Sequence, residues 1–414
     1  MVDNSLNNIE WLGTIPEEWN YTEIGRIYSE RKEKAQEEDY TPLSVTMKGV
    51  VPQLDSAVKA AEGSDRKLVK KGDFVINSRS DRRGACGVAP MDGTCSVINI
   101  VIYPHKKYCG DFFNYVLLSE RFPDEFYRWG HGIASDLWTT RWSEMQKIQI
   151  PKPPLEEQKK IASVLDEKCI EIENMLRKTE ESIEDYKILK QEIIEQAVTK
   201  GLDASAEYVE SGDKAIGTIP SHWRWNKIKR LFSIKKDIAG EEGYQVLSIT
   251  QKGIIKKDIS KNEGQMASNY SGYQLVNVGD FAMNHMDLLT GWIDISKYSG
   301  VTSPDYRVFT LKDEEAHCKQ YFLYVFQMCY FKQIFYSLAQ GVSEYGRCRL
   351  QADKFLHYEI PIPPHEEQCE IAAYLDNKVN EINHIIEQKE KLIDELKIYK
   401  KAMIFEYVTG RKRV

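Results

Sequence analysis

The side chains best suited to chemistry in this sequence are hydrogen-bond donors grouped in short basic runs. Ser78, Arg79, Ser80, Arg82 and Arg83 fall together just past a strand-like segment. Arg128 and His131 flank Trp129 closely, and Thr139, Thr140 and Arg141 lie between Trp138 and Trp142. A guanidinium can fork onto guanine O6 and N7 or onto a phosphate, and hydroxyls serve either partner. Further along, Asn284 and His285 precede a stretch containing Tyr345, Arg347 and Arg349. Asparagine can pair with adenine N6 and N7. Lys48 and Lys252 each precede a glycine and are candidate phosphate anchors. The chemistry on offer is nucleic-acid binding. The plainer readings are exposed basic loops, core tryptophans with arginines packed over them, and loop-capping Asn or His.

Signatures of catalysis are missing. The sequence contains no GxxxxGK[ST] phosphate cradle, no G-x-S-x-G elbow and no zinc spacing among its cysteines and histidines. It also lacks Asn-Pro-Pro-Tyr and Asp-Pro-Pro-Tyr, the usual amino-methyltransferase segments. No metal or catalytic residue is therefore assigned. The eight scattered cysteines read as reduced, structural thiols. No apolar run approaches the ~18 residues of a membrane span, and the first residues do not read as a signal peptide, so a cytoplasmic location is expected.

The elements that position these groups are written twice. Gly13-Thr14-Ile15-Pro16 with Trp19 recurs 204 residues later as Gly217-Thr218-Ile219-Pro220 with Trp223. Leu43-Ser44-Val45-Thr46 with Lys48-Gly49 recurs at the same offset, and Gly72-Asp73-Phe74 with Asn77 recurs at 207. Pro153-Pro154, Glu156-Glu157-Gln158, Ile161-Ala162 and Leu165-Asp166 recur at 210. The stretches 78–96 and 285–303 scarcely match, nor do 133–146 and 342–356. One frame carrying unlike loops implies two different binding surfaces; plain duplication with drift would have blurred the frame as well.

Each copy opens with short mixed segments. Strands are predicted at Leu43–Met47, Asp73–Asn77 and Val97–Tyr103, and helices at Phe112–Tyr127 and Gln320–Leu338. A long helix then starts after the double proline, where glutamates suit the first turn. Its apolar residues fall on two seam positions of a seven-residue repeat, three and four residues apart, among them Leu165, Ile172, Leu176, Ile183, Tyr186 and Ile193 in the first copy. Leu375, Ile382, Ile386, Ile393, Leu396 and Met403 do so in the second. That is coiled-coil spacing, with Lys190 and Lys400 in equivalent seam slots, and each helix is the other's obvious partner. About 45 residues make a rod of roughly 65 Å. The helices carry 12 acids against 8 bases over 155–200 and 10 against 6 over 365–410, each −4. Of the total of −7, the rest of the chain is left at +1, so the globules are free to carry basic faces.

The expected fold is α+β: a tandem pseudo-twofold repeat of two mixed α/β domains with two long antiparallel coiled-coil helices. The expected segments are a first domain at 1–154, a helix at 155–200 and a linker at 201–215. A second domain at 216–362, a helix at 363–410 and a basic tail at 411–414 follow.

The doubled G-T-I-P-x-x-W, the doubled G-D-F, the P-P-x-E-E-Q-x-x-I-A-x-x-L-D helix entry and the late Val198-Thr199 and Val408-Thr409 together resemble the specificity subunit of Type I restriction–modification systems. Leu289-Thr290-Gly291, Ser303-Pro304 and Tyr306 resemble that family's target recognition domain. The resemblance implies two target recognition domains, each reading one half of a bipartite asymmetric DNA site, with the helices setting the spacer. It implies double-stranded DNA, two methyltransferase subunits and two motor-nuclease subunits as partners. S-adenosylmethionine, ATP and magnesium would belong to those partners, leaving this chain non-catalytic and without a cofactor. From the residues alone, a self-contained nuclease or methyltransferase with unrecognised motifs and a coiled-coil interaction scaffold remain alternatives.

Overall fold

The computed structural model describes residues 8–35, 39–53, 66–132, 138–259, 267, 269–339 and 349–414. They divide between two compact units: residues 1–180 with 390–414, and residues 181–389. The division runs through both long helices, which span Leu155–Lys200 and His365–Val408.

In the first unit, a four-stranded antiparallel sheet has the order Cys86–Val88, Phe74–Asn77, Asn99–Pro104, Tyr28–Glu30. In the second unit the order is Ile293–Ile295, Phe281–Met283, Arg307–Leu311, Phe232–Lys235. These are the same strands of the repeat in the same order. The hairpin Leu43–Thr46 with Gly49–Pro52 likewise recurs as Leu247–Thr250 with Gly253–Lys256. Fully buried Phe74, Phe112, Phe113, Phe122 and Phe126 fill the first core; Phe232, Phe281, Phe309, Phe322 and Phe326 fill the second.

The doubled motifs now have physical reasons. In G-D-F, Asp73 is buried and accepts a two-pronged contact from Arg31 (2.6 and 3.0 Å) and the Lys70 amide (2.8 Å). Asp280 does the same for Lys235 (2.7 Å) and the Asn277 amide (2.8 Å). In T-x-K-G, the Thr46 hydroxyl donates to the Gly49 carbonyl and accepts from the Lys48 amide, as Thr250 does with Gly253 and Lys252. Gly49 and Gly253 sit at φ +109° and +99°, a conformation that glycine adopts without steric cost. In P-P-x-E-E-Q, Glu157 accepts the Trp19 indole N–H (2.9 Å), while Glu367 accepts that of Trp223 (3.0 Å). Buried Gln158 accepts the Cys109 amide (3.2 Å) and donates to Pro153 O (2.8 Å). Gln368 repeats both bonds with Cys318 and Pro363, each at 2.9 Å. Asp166 and Asp376 each accept a tyrosine hydroxyl at 2.7 Å, from Tyr115 and Tyr324.

Two expected helices are broken. Phe112–Tyr127 is two helices, Gly110–Leu118 and Phe122–Arg128. Ser119 ends the first by turning its amide and hydroxyl onto Val116 O, and Pro123 suits the first turn of the second. Gln320–Leu338 is Lys319–Phe331 and Ile334–Leu338, separated by Gln333 in the left-handed region at φ +56°. The strand expected from Val97 begins at Asn99, after a turn.

The seam residues expected on the long helices are buried or half-buried throughout. In the first unit, Ile161, Leu165, Cys169 and Ile172 share a core with Met403, Ile404, Tyr407 and Val408, with Leu176 and Leu396 packed against it. Lys400 donates to Glu173 at 2.7 Å. In the second unit, Ile194, Ala197 and Val198 share a core with Ile371, Ala372 and Leu375. Lys190 is half-buried and donates to Asn383 Oδ1 at 3.0 Å; burial pushes its pKa down.

Candidate nucleic-acid interface

In both units the candidate loop leaves the sheet at the end of the repeated G-D-F strand and is pinned in the same way. The Tyr127 hydroxyl lies 3.1 Å from Asn77 O and 2.9 Å from Arg79 O, and Tyr330 donates to Asn284 O at 2.7 Å. A returning segment then bonds to the loop. Thr140 N donates to Ser78 O and Leu350 N to His285 O, both at 3.0 Å. Ser78 therefore corresponds to His285, and Thr139 to Arg349. Neither tyrosine stood out in the sequence, since each lies in an aromatic-rich helix, and the two come from different helices, Tyr127 from Phe122–Arg128 and Tyr330 from Lys319–Phe331.

On the first unit, the 3₁₀ turn Ser80–Arg82 presents Arg79 and Arg82 exposed, and no bond or ion pair engages either guanidinium among the described residues. Arg83 is exposed but ion-paired with Asp124 and lies 5.7 Å from the Tyr127 ring centroid. Thr139 bridges Arg79 and His131 through the backbone, which brings the two basic runs of the sequence side by side. Arg141 and His131 are exposed, as is Lys48 on its turn. Arg128 is occupied by a two-pronged contact with buried Glu125 (2.7 and 2.8 Å), which also accepts the Trp129 indole at 2.8 Å.

Two expected contacts of this unit are corrected. Thr140 is fully buried and its hydroxyl donates to Phe126 O at 2.9 Å. Ser78 is 7% exposed, with its carbonyl committed to Thr140. Both build the loop's floor. Ser80 is half-buried, and its amide donates to Trp138 O at 3.2 Å.

On the second unit, Tyr345 and Arg347 lie outside the described residues. Asn284 is corrected as well: its Oδ1 accepts the amides of Met286 and Asp287, both at 3.1 Å, so it caps the turn and no longer has a free acceptor for adenine. Asp287 in turn accepts the amides of Leu289 (3.1 Å) and Thr290 (2.8 Å) and the Thr290 hydroxyl. Gly291 passes so near Asp287 O that a Cβ would stand 1.9 Å from it, which accounts for glycine in Leu289-Thr290-Gly291. Lys252 and Arg349 are exposed. His285 is 5% exposed, so it is not a direct surface contact, and burial with Arg307 and Arg349 nearby pushes its pKa down to about 3. Arg307, unremarked in the sequence, is 6% exposed; burial lowers its pKa to about 10.

A twice-repeated sheet frame with differently furnished loops defines a tandem recognition protein. The chain belongs to the family of Type I restriction modification DNA specificity domains, which matches twice, over residues 16–184 and 226–395. It is 28% identical over 284 residues to the Type I restriction enzyme MjaVIII specificity subunit of Methanocaldococcus jannaschii. That match takes in 65% of this chain and 63% of the relative, so the chain spans somewhat less than two thirds of that protein's length. Among solved structures, one described as the structural basis of complex assembly and conformational transition of the type I R-M system has the same fold. Its TM-score is 0.66 at 15% identity, with 95% of this chain and 98% of that chain covered. The HsdS subunit from Thermoanaerobacter tengcongensis aligns at TM-score 0.48 and 16% identity over 96% of this chain and 98% of its own. Among the described residues, no helix is long and apolar enough to cross a membrane.

Proposed function

We propose that the chain is the DNA sequence-recognition subunit of a Type I restriction–modification complex, each unit reading one half of a bipartite asymmetric site. One observation carries this: two specificity-domain copies keep a common frame of sheet, hairpin and helix anchors, and differ in the side chains the loop presents. Base contacts must differ between half-sites, whereas the frame need not. Arg79, Arg82 and Arg349, exposed and unpaired among the described residues, supply the donors. Lys48 and Lys252, exposed at equivalent turns, suit phosphate.

The long helices pair antiparallel as a coiled coil and set the spacer between half-sites. What supports this is the company each helix keeps: the beginning of the first packs with the end of the second in one unit, and the end of the first with the beginning of the second in the other. Two methyltransferase subunits and, for cleavage, two motor-nuclease subunits dock on this chain in the cytoplasm. S-adenosylmethionine, ATP and magnesium are theirs, and this chain performs no chemistry itself.

The test combines a gel shift on duplex DNA over a salt series with a methylation assay. Binding should weaken steeply with salt. Site-specific adenine methylation should appear only when the methyltransferase partner is added. Methyl transfer or nicking by the isolated chain would favour a self-contained enzyme, and indifference to DNA would favour a protein scaffold.

A further inference from the structure

The second unit brings two guanidiniums, Arg307 and Arg349, together with His285, and among the described residues no carboxylate is paired with any of the three. Arg307, in the central strand Arg307–Leu311, donates from one Nη to Leu350 O at 2.8 Å, and its guanidinium carbon lies 5.1 Å from the Phe355 ring centroid. Its other Nη is buried and has no hydrogen-bond partner among the described residues, and neither does buried His285 Nδ1. Arg349 adjoins both electrostatically, is exposed, and is engaged by no bond or ion pair among the described residues. A buried donor without a partner is destabilising, and a charged one more so. Such a feature survives where function uses it.

The repeat indicates what that use is. Arg307 pairs with Met283 as Ile100 pairs with Ile76, so Arg307 stands where the first copy has Ile100. His285 and Arg349 stand where it has Ser78 and Thr139. All three positions differ between the copies. Phosphates are common to every half-site, so residues gripping them need not change from copy to copy; base-reading residues must.

We propose that Arg349, positioned by Arg307 and His285, forms a pocket of the second unit that takes the paired acceptors O6 and N7 of a guanine. Arg349 is the contacting side chain. Arg307 and His285 act through it: the uncompensated charge behind Arg349 directs its guanidinium outward and keeps the pocket electropositive. This deepens the DNA-recognition reading and rests on it.

The experiment is selection from a random-sequence duplex pool by the full chain assembled with its methyltransferase partner. Wild type should enrich a bipartite site. Arg349→Ala should relax the choice at one G·C pair of one half by roughly ten- to a hundredfold and leave the other half unchanged. Arg307→Ile, which installs the first-copy residue, should relax the same pair. Arg349→Ala lies on the surface and keeps the test open should the Arg307 variant not fold. Uniform weakening with the selected site intact would make Arg349 a phosphate contact and overturn the pocket, as would an unchanged site. Relaxation at a different pair by Arg307→Ile would overturn its positioning role. Failure of wild type to enrich any bipartite site would sink the recognition reading and the pocket with it.

Discussion

Replacing Gln158 by leucine removes one side chain but leaves two backbone groups stranded, one buried and one half-buried. Gln158 is 2% exposed; its amide oxygen takes the Cys109 N–H at 3.2 Å and its amide nitrogen donates to Pro153 O at 2.8 Å. Cys109 caps the helix Gly110–Leu118, and Pro153 lies two residues before the first long helix, so this one amide joins the two. Leucine is close in size and creates no cavity, which isolates the polar loss. Each unsatisfied group costs about 1–3 kcal/mol, so the variant should lose about 2–6 kcal/mol. Urea unfolding reads the loss as a lower midpoint at unchanged slope. Hydrogen exchange should show loosened amides at 109–113 and 153–160. Gln368→Leu should reproduce the effect at Cys318 and Pro363 in the second unit. A loss below about 0.5 kcal/mol, or deprotection that spares these segments, would refute the reasoning.

Three further outcomes are expected. Tyr330→Phe should cost about 1 kcal/mol of stability and raise hydrogen exchange over residues 284–291, since the hydroxyl's bond to Asn284 O is the loop's pin; unchanged exchange there would count against it. Lys190→Met should raise the melting temperature at pH 7, because burial holds the Lys190 pKa below its unfolded value. The cost of charging it is therefore present at neutral pH and disappears only as pH rises through the folded and then the unfolded pKa; a lower melting temperature would contradict this. His285, with its pKa near 3, is neutral in the folded chain. Its stabilising contribution is complete above the unfolded value of ~6.5 and fades as pH falls toward 3, by up to about 1.4 kcal/mol per pH unit. His285→Gln should flatten that acid limb, and an identical pH profile would rule His285 out as its source.

What could be read from the sequence was whatever repeats. The doubled motifs marked the frame, and the three-four alternation from Leu165 to Ile193 marked the buried stripe of the first long helix, because both depend on spacing along one chain. The site was less legible, since accessibility is decided by distant partners. Thr140 and Ser78 have the composition of contact residues, yet a carbonyl at Phe126 and an amide at Thr140 turn them inward. Asn284 looks like an adenine reader until the amides of Met286 and Asp287 claim its oxygen. Arg307 was hidden for the opposite reason: it opens an ordinary strand pattern, and only the register against Met283 places it beneath the loop. The breaks at Ser119 and Gln333 escaped because apolar periodicity continues across them.

Three side chains near the start of each long helix grip the globule beside it: Glu157, Gln158 and Asp166 in one unit, Glu367, Gln368 and Asp376 in the other. Their partners, Trp19, Cys109 and Tyr115, or Trp223, Cys318 and Tyr324, all lie outside the divergent loops. Anchorage and vocabulary are thus inherited separately. A lineage can rewrite the residues that meet its ligand, wholesale or by recombination, without reopening the question of whether the polypeptide still folds, and novelty in what is recognised comes at little hazard to the scaffold.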